Sequence, residues 1–168
     1  MKLFCFGLGY CADYFSAKLI KQGWQVSATC RSSEKAAVMD ASDIRPVLLS
    51  GRKVTVSDLG KAALILISVP PEQDGSDPVL NFAGAALAAL QDQIKWVGYL
   101  STTGVYGDHQ GAWIDEETPA GLLSERGQRR VAAEAQWAAT GLPMHYFRLA
   151  GIYGPGRNSL RALQNGTA

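Results

Sequence analysis

Apolar residues fall along the chain in short runs broken by glycine, proline or polar clusters. Lys2–Phe6 is such a run, closed by Gly7, and has the continuous character of a strand buried on both faces. Ala12–Gln22 follows with helical spacing that turns Phe15, Leu19 and Ile20 inward, and Gly23 stops it. Further strands are predicted at Gln25–Thr29, Pro46–Leu49, Ala63–Ser68, Lys95–Ser101 and Met144–Leu149, with helices at Val79–Gln91 and Leu122–Thr140. Pro70-Pro71, Gly75, Pro78 and Gly154-Pro155-Gly156 mark loops. Strands alternating with helices predict an α/β fold with a parallel sheet covered on both faces.

Composition narrows this only a little. With 47% hydrophobic and 18% charged side chains, 168 residues suffice for one buried core, so one domain over 1–168 is expected. Sixteen basic against fifteen acidic residues give a charge of +1 and no general attraction to nucleic acid or an anionic membrane. Cys5, Cys11 and Cys30 are odd in number and lack the spacing of a disulfide framework or a zinc site, so no metal is expected and a reducing compartment fits. No run approaches the ~18 apolar residues of a membrane helix, and Leu3 to Leu8 is too short for a signal-peptide core; a cytoplasmic location is expected.

The sharpest chemical signal is Gly7-Leu8-Gly9-Tyr10-Cys11-Ala12, a G-x-G-x-x-A pattern between a strand and a helix. In that position Gly7 allows the tight turn, Gly9 lets the backbone approach a pyrophosphate, and Ala12 permits close helix packing at an anion-attracting helix N-terminus. This implies a Rossmann-type, doubly wound sheet that binds a dinucleotide. The acidic residue that would hold an NAD ribose about 20 residues further on is absent. Thr29-Cys30-Arg31-Ser32-Ser33 stands there instead, and Arg31 with Ser32 suits a 2′-phosphate, which favours NADP while leaving NAD possible. A plain solvated turn is the alternative for Arg31. Ser68, Val69 and Pro70 end the fourth strand where such sheets open their ligand crevice, although a double proline also simply terminates a strand.

Two further segments, Leu100-Ser101-Thr102-Thr103-Gly104-Val105-Tyr106-Gly107-Asp108 and Arg148-Leu149-Ala150-Gly151-Ile152-Tyr153-Gly154-Pro155-Gly156, resemble the extended short-chain dehydrogenase/reductases of the epimerase/dehydratase-like type. With the glycine motif they lie in that family's order across the whole chain, closest to its atypical members. The resemblance implies that Thr102 occupies the catalytic Ser/Thr position. It also implies a Tyr-x-x-x-Lys pair on the following helix, and there the sequence departs: Arg126 and Arg130 stand at those positions. Arginine has no acceptor and does not deprotonate at neutral pH, so the family's proton transfer is in doubt. Gly104 and Thr103 replace the paired acid and base of the dehydratase branch, so 4,6-dehydration is not expected. Neither Tyr106 nor Tyr153 is expected to replace the acid, and His109 and His145 lack partner motifs.

Arg126, Arg130 and Glu134 follow i, i+4 spacing and suit an exposed ion-pair ladder, whereas the functional alternative makes the two arginines an anion site in the crevice. Three functions stand open. One is an NAD(P)-dependent oxidoreductase or epimerase acting on a hydroxyl or carbonyl of a small substrate, free or nucleotide-linked. The second is a non-catalytic NAD(P) binder or redox sensor. The third is an inactive fragment, because family members run to roughly twice this length. An interrupted C-terminus at Gln164-Asn165-Gly166-Thr167-Ala168 would expose a sheet edge and favour a homodimer.

Overall fold

The computed structural model describes residues 1–120, 124–158, 163, 164 and 166. Its frame is β1 (Lys2–Phe6), α1 (Tyr10–Ile20), β2 (Gln25–Cys30), α2 (Ser33–Asp40), β3 (Ile44–Leu48), α3 (Val56–Leu59), β4 (Leu64–Ile67), α4 (Pro78–Ala89), β5 (Trp96–Thr102), α5 (Glu125–Ala138) and β6 (Met144–Leu149). A 3₁₀ turn, Thr103–Val105, follows β5. The six strands form one all-parallel sheet in the order β3-β2-β1-β4-β5-β6, the doubly wound topology expected from the alternation of elements.

The side-chain alternation of β1 divides the core. Phe4 and Phe6 face a cluster with Ile65, Ile67, Tyr99, Val79, Ala83 and Trp137, beneath α3, α4 and α5. Leu3 and Cys5 face the opposite cluster with Ala12, Leu19, Val26 and Met39, beneath α1 and α2. Burial pushes the Cys5 thiol up to about 12, which leaves it inert at neutral pH.

The expected inward face of α1 needs correction. Ala12, Ser16 and Leu19 are buried and Ile20 partly so, but Phe15 is 42% exposed. Two small side chains, Ala12 and Ser16, let α1 lie close over β1, and Phe15 falls beside that contact line. Pro46 lies inside β3 rather than at its start, which is tolerated because β3 is an edge strand and its missing N–H costs no ladder bond. α5 begins at Glu125 under a Ser124 cap; Leu122 and Leu123, where the helix was expected to begin, lie outside the described residues, as do Asn165, Thr167 and Ala168. At the other edge, β6 leaves Phe147 42% exposed, with the Trp96 ring 6.0 Å away.

Candidate active site

Strand order reverses between β1 and β4, and side chains leaving the carboxyl ends of these strands bound a crevice there. It has two adjoining cavities that share Gly9 and Ser68, of about 540 Å³ toward β5 and β6 and about 740 Å³ toward β2 and β3.

The glycine loop forms the floor between them. Gly7 adopts φ +78°, and its N–H donates to Thr29 Oγ1 at 2.8 Å. A Cβ at Gly7 would stand 2.9 Å from Val69 Cγ2, so that position admits glycine alone both by conformation and by space. Gly9 differs. It is the N-cap of α1, extended at φ −81°, no side chain caps the helix, and a Cβ there would meet nothing within 4 Å. The uncapped N–H groups of α1 thus open onto an empty approach, and Ala12 beneath is fully buried. These features fit a dinucleotide pyrophosphate.

Leu8, Arg31, Val69 and Pro70 line the larger cavity, and Tyr10 and Cys11 the smaller. Ser68 Oγ donates to the Phe6 carbonyl at 3.2 Å, fixing the strand end at the junction. Ser32 is placed elsewhere: its Oγ caps α2 by accepting from Lys35 N–H at 3.2 Å, and it does not line the crevice. Lys35 and Arg52 join Arg31 around the larger cavity, with Arg52 paired to Asp58 at 2.7 Å. Sequence spacing gave no reason to single out Arg52, and Lys35 was legible only as a second cation four residues beyond Arg31.

On the other side, Thr102, Arg126 and Arg130 all line the smaller cavity. Thr102 Oγ1 accepts from Gly104 N–H at 3.2 Å, which leaves its own proton free to donate. Arg130 Nη1 donates to Tyr99 OH at 3.1 Å and to the Leu100 carbonyl at 3.3 Å. Behind it Tyr99 OH donates to Asp77 Oδ2 at 3.4 Å, and Asp77 Oδ1 accepts from Val79 N–H at the start of α4. Burial raises Tyr99 well above the ordinary phenol range against the opposing pull of Arg130, and burial likewise raises Asp77.

The ion-pair ladder expected along α5 does not form. Glu134 is buried and its Oε2 pairs with Arg148 Nη2 of β6 at 2.9 Å, while Oε1 accepts from Ser101 Oγ. The i, i+4 spacing was met, but Glu134 lies on the face of α5 turned to the sheet. Arg148 Nη1 also donates to Tyr106 OH at 3.0 Å, which ties that tyrosine into the sheet edge rather than the cavity. Replacing Glu134 with alanine strands the Arg148 guanidinium and is expected to cost about 3 kcal/mol, the low end for breaking a buried pair because Arg148 keeps 29% side-chain exposure. Urea unfolding checks this; a loss under about 1 kcal/mol would show that solvent already screens the pair.

Arg157 also lines the smaller cavity, its guanidinium 5.7 Å over the Tyr10 ring, and Tyr10 OH donates to the Pro155 carbonyl at 3.2 Å. Arg157 follows Gly154-Pro155-Gly156, a segment whose sequence announces a loop and nothing about where the loop folds. Tyr153 is 84% exposed, and His145 stacks on Trp96 at the sheet edge. Among the described residues no cluster of three His, Cys, Asp or Glu side chains could hold a metal ion, and no helix is long and apolar enough to cross a membrane.

No protein-family model matches the chain. Protein YeeZ of Escherichia coli (strain K12) is 32% identical over 174 residues, covering 96% of this chain and 62% of that protein. A functionally unknown conserved protein from Silicibacter pomeroyi superposes with a TM-score of 0.86 at 47% identity, over 96% of this chain and 56% of its own. A protein from Methylobacillus flagellatus, provisionally described as an NAD-dependent epimerase/dehydratase, follows at 0.71 and 25%, over 98% and 58%. WbmH of Bordetella bronchiseptica, solved with NAD+, shares the fold at 0.68 and 19%, over 98% and 62%. The chain thus spans about three fifths of the length of the proteins it matches.

Proposed function

We propose that the chain works as the NAD-dependent epimerase/dehydratases of the short-chain dehydrogenase/reductase type that it resembles, and that its crevice binds a nicotinamide dinucleotide, NADP(H) in preference to NAD(H). The protein would then act on a hydroxyl or carbonyl of a small substrate. The observation that carries this reading is Gly9: an uncapped helix start with open space above it, at the strand-order reversal, between two adjoining cavities. The backbone N–H groups at the start of α1 would hold the pyrophosphate, with one end of the cofactor toward Arg31 and the other toward Thr102.

When bound, the cofactor supplies hydride exchange at a carbon bearing oxygen. The chain's own residues orient that oxygen. Thr102 donates its free hydroxyl proton to it, and the guanidiniums of Arg126 and Arg130 stabilise negative charge near it without releasing a proton. Because those two arginines supply donors only, a second reading stands beside the first: a binder that senses NADP(H) without turning it over. The exposed β6 edge, with Phe147, is where a second copy of the chain would pair, and sedimentation over a range of concentrations tests that homodimer.

NADP preference is supported by the cations around the larger cavity and by the absence of an acidic residue between Cys30 and Ser33. Arg31→Ala is expected to weaken NADP(H) by about 1–3 kcal/mol, the loss of one charge-assisted hydrogen bond, and to leave NAD(H) nearly unchanged. Calorimetric titration of both cofactors into both proteins measures it. Equal affinities in the unmodified chain would remove the role given to Arg31.

A further inference from the structure

The smaller cavity carries an imbalance of charge that cofactor binding at the glycine loop does not explain. Arg126, Arg130 and Arg157 line it, and no aspartate or glutamate does. Among the described residues the ion pairs are Arg52–Asp58 and Arg148–Glu134, so none of the three cavity arginines has a carboxylate partner. Arg148 shows how this fold neutralises a guanidinium at the same sheet edge, with a buried glutamate 2.9 Å away. Three guanidiniums lining one cavity, Arg130 partly buried and Arg126 and Arg157 exposed, repel one another and concentrate positive potential, a cost that an entering anion relieves.

Arg130 is also held in a defined way. One amino group is spent on Tyr99 OH and the Leu100 carbonyl, both neutral, which leaves Nε and Nη2 without a partner among the described residues. Tyr99 in turn spends its proton on Asp77, itself anchored by the N–H of Val79, so the acceptor that Tyr99 presents to Arg130 is fixed from behind. The guanidinium carbon lies 5.5 Å from the centroid of the Tyr99 ring. A fork oriented by neutral groups keeps its charge for a ligand, and paired donors match the two oxygens of a carboxylate or phosphoryl group.

We propose that this cavity selects a substrate bearing a carboxylate or phosphoryl group beside the hydroxyl or carbonyl that reacts, with Arg126 and Arg130 as its receptor and Tyr99 and Asp77 as positioning residues for Arg130. Thr102, which lines the same cavity, addresses the reacting oxygen while the arginines take the neighbouring anion. This deepens the proposed function and rests on it, since the cofactor defines which carbon reacts.

The test is calorimetric titration of the NADPH-saturated chain with inorganic phosphate and, separately, with malonate, so that the cofactor's own phosphates already occupy the helix N-terminus. Saturable binding is expected for one of the two. Arg130→Gln and Arg126→Gln should each weaken it at least tenfold, with Arg130→Lys between them and the unmodified chain because it keeps the charge and loses the fork. Tyr99→Phe should weaken it several-fold and narrow the gap between Arg130 and Arg130→Lys, an effect that general destabilisation would not produce. Preference for phosphate assigns a phosphoryl group, and preference for malonate a carboxylate. Arg126 is exposed, so Arg126→Gln serves if Arg130→Gln fails to fold. No saturable binding of either anion to NADPH-loaded protein, or binding indifferent to the arginine substitutions, overturns the inference and leaves the cofactor reading intact. Failure to bind NADPH at all overturns both.

Discussion

Replacing Gly9 with valine is expected to abolish the proposed NADP(H) binding and to leave a folded protein. The backbone there is extended, at φ −81° and ψ −179°, a conformation that β-branched residues adopt readily, and a Cβ meets nothing within 4 Å. The side chain therefore costs the fold little and projects into the approach that the proposed pyrophosphate needs. Losing the contact of the phosphates with the start of α1 should weaken binding at least about 100-fold, equivalent to about 2.7 kcal/mol. The neighbouring glycine provides the contrast. Gly7→Ala places a Cβ 2.9 Å from Val69 on a residue at φ +78°, so its expected loss is of stability, about 1–2 kcal/mol for the left-handed backbone alone. Titration calorimetry and thermal melts followed by circular dichroism separate the two effects. A Gly9→Val chain that still binds NADP(H) with unchanged affinity would refute the placement of the cofactor.

The first third of the chain declares itself in sequence because several constraints coincide there. An apolar run ending at Phe6, a glycine that must take positive φ, and a small residue at Ala12 that must pack against the sheet leave few alternatives to strand, turn and helix. α2 and α3 offered no such agreement: Ser33–Asp40 buries Met39 alone, and Val56–Leu59 is a single turn held by a Thr55–Asp58 capping box. Long-range pairings were harder still. The residue that claims Glu134 is Arg148, brought beside it by the parallel pairing of β5 with β6, and i, i+4 spacing carries no record of a partner on another element. For the same reason the family resemblance could single out Arg126 and Arg130, which line the smaller cavity, while nothing in the spacing pointed to Tyr99, Asp77 or Arg157 beside them. Ser32 is a different case: its Oγ accepts from Lys35 N–H as the cap of α2, and it does not line the crevice.

With simple alcohols or UDP-sugars the chain is expected to show little or no steady-state NADP(H) turnover, even where it binds the cofactor tightly. Arg126 and Arg130 line the smaller cavity and, by the resemblance, stand at the sequence positions of the family's proton-transferring pair, and a guanidinium neither accepts nor releases a proton at neutral pH. The absent general acid/base costs on the order of 10²–10⁴ in rate. The tyrosine hydroxyls nearby are committed elsewhere: Tyr10 OH donates to the Pro155 carbonyl, Tyr99 is buried with its ionisation raised, and Tyr106 binds Arg148. Arg126→Tyr combined with Arg130→Lys restores the proton chemistry only, and it also removes the proposed anion receptor. That double variant should therefore stay within about tenfold of the unmodified rate, less than the gain of 10² or more that a restored general acid would otherwise bring. Absorbance at 340 nm follows both proteins across a panel of carbonyl substrates. Robust NADPH oxidation by the unmodified chain would show that this arginine-lined wall works with a proton donor other than its own side chains.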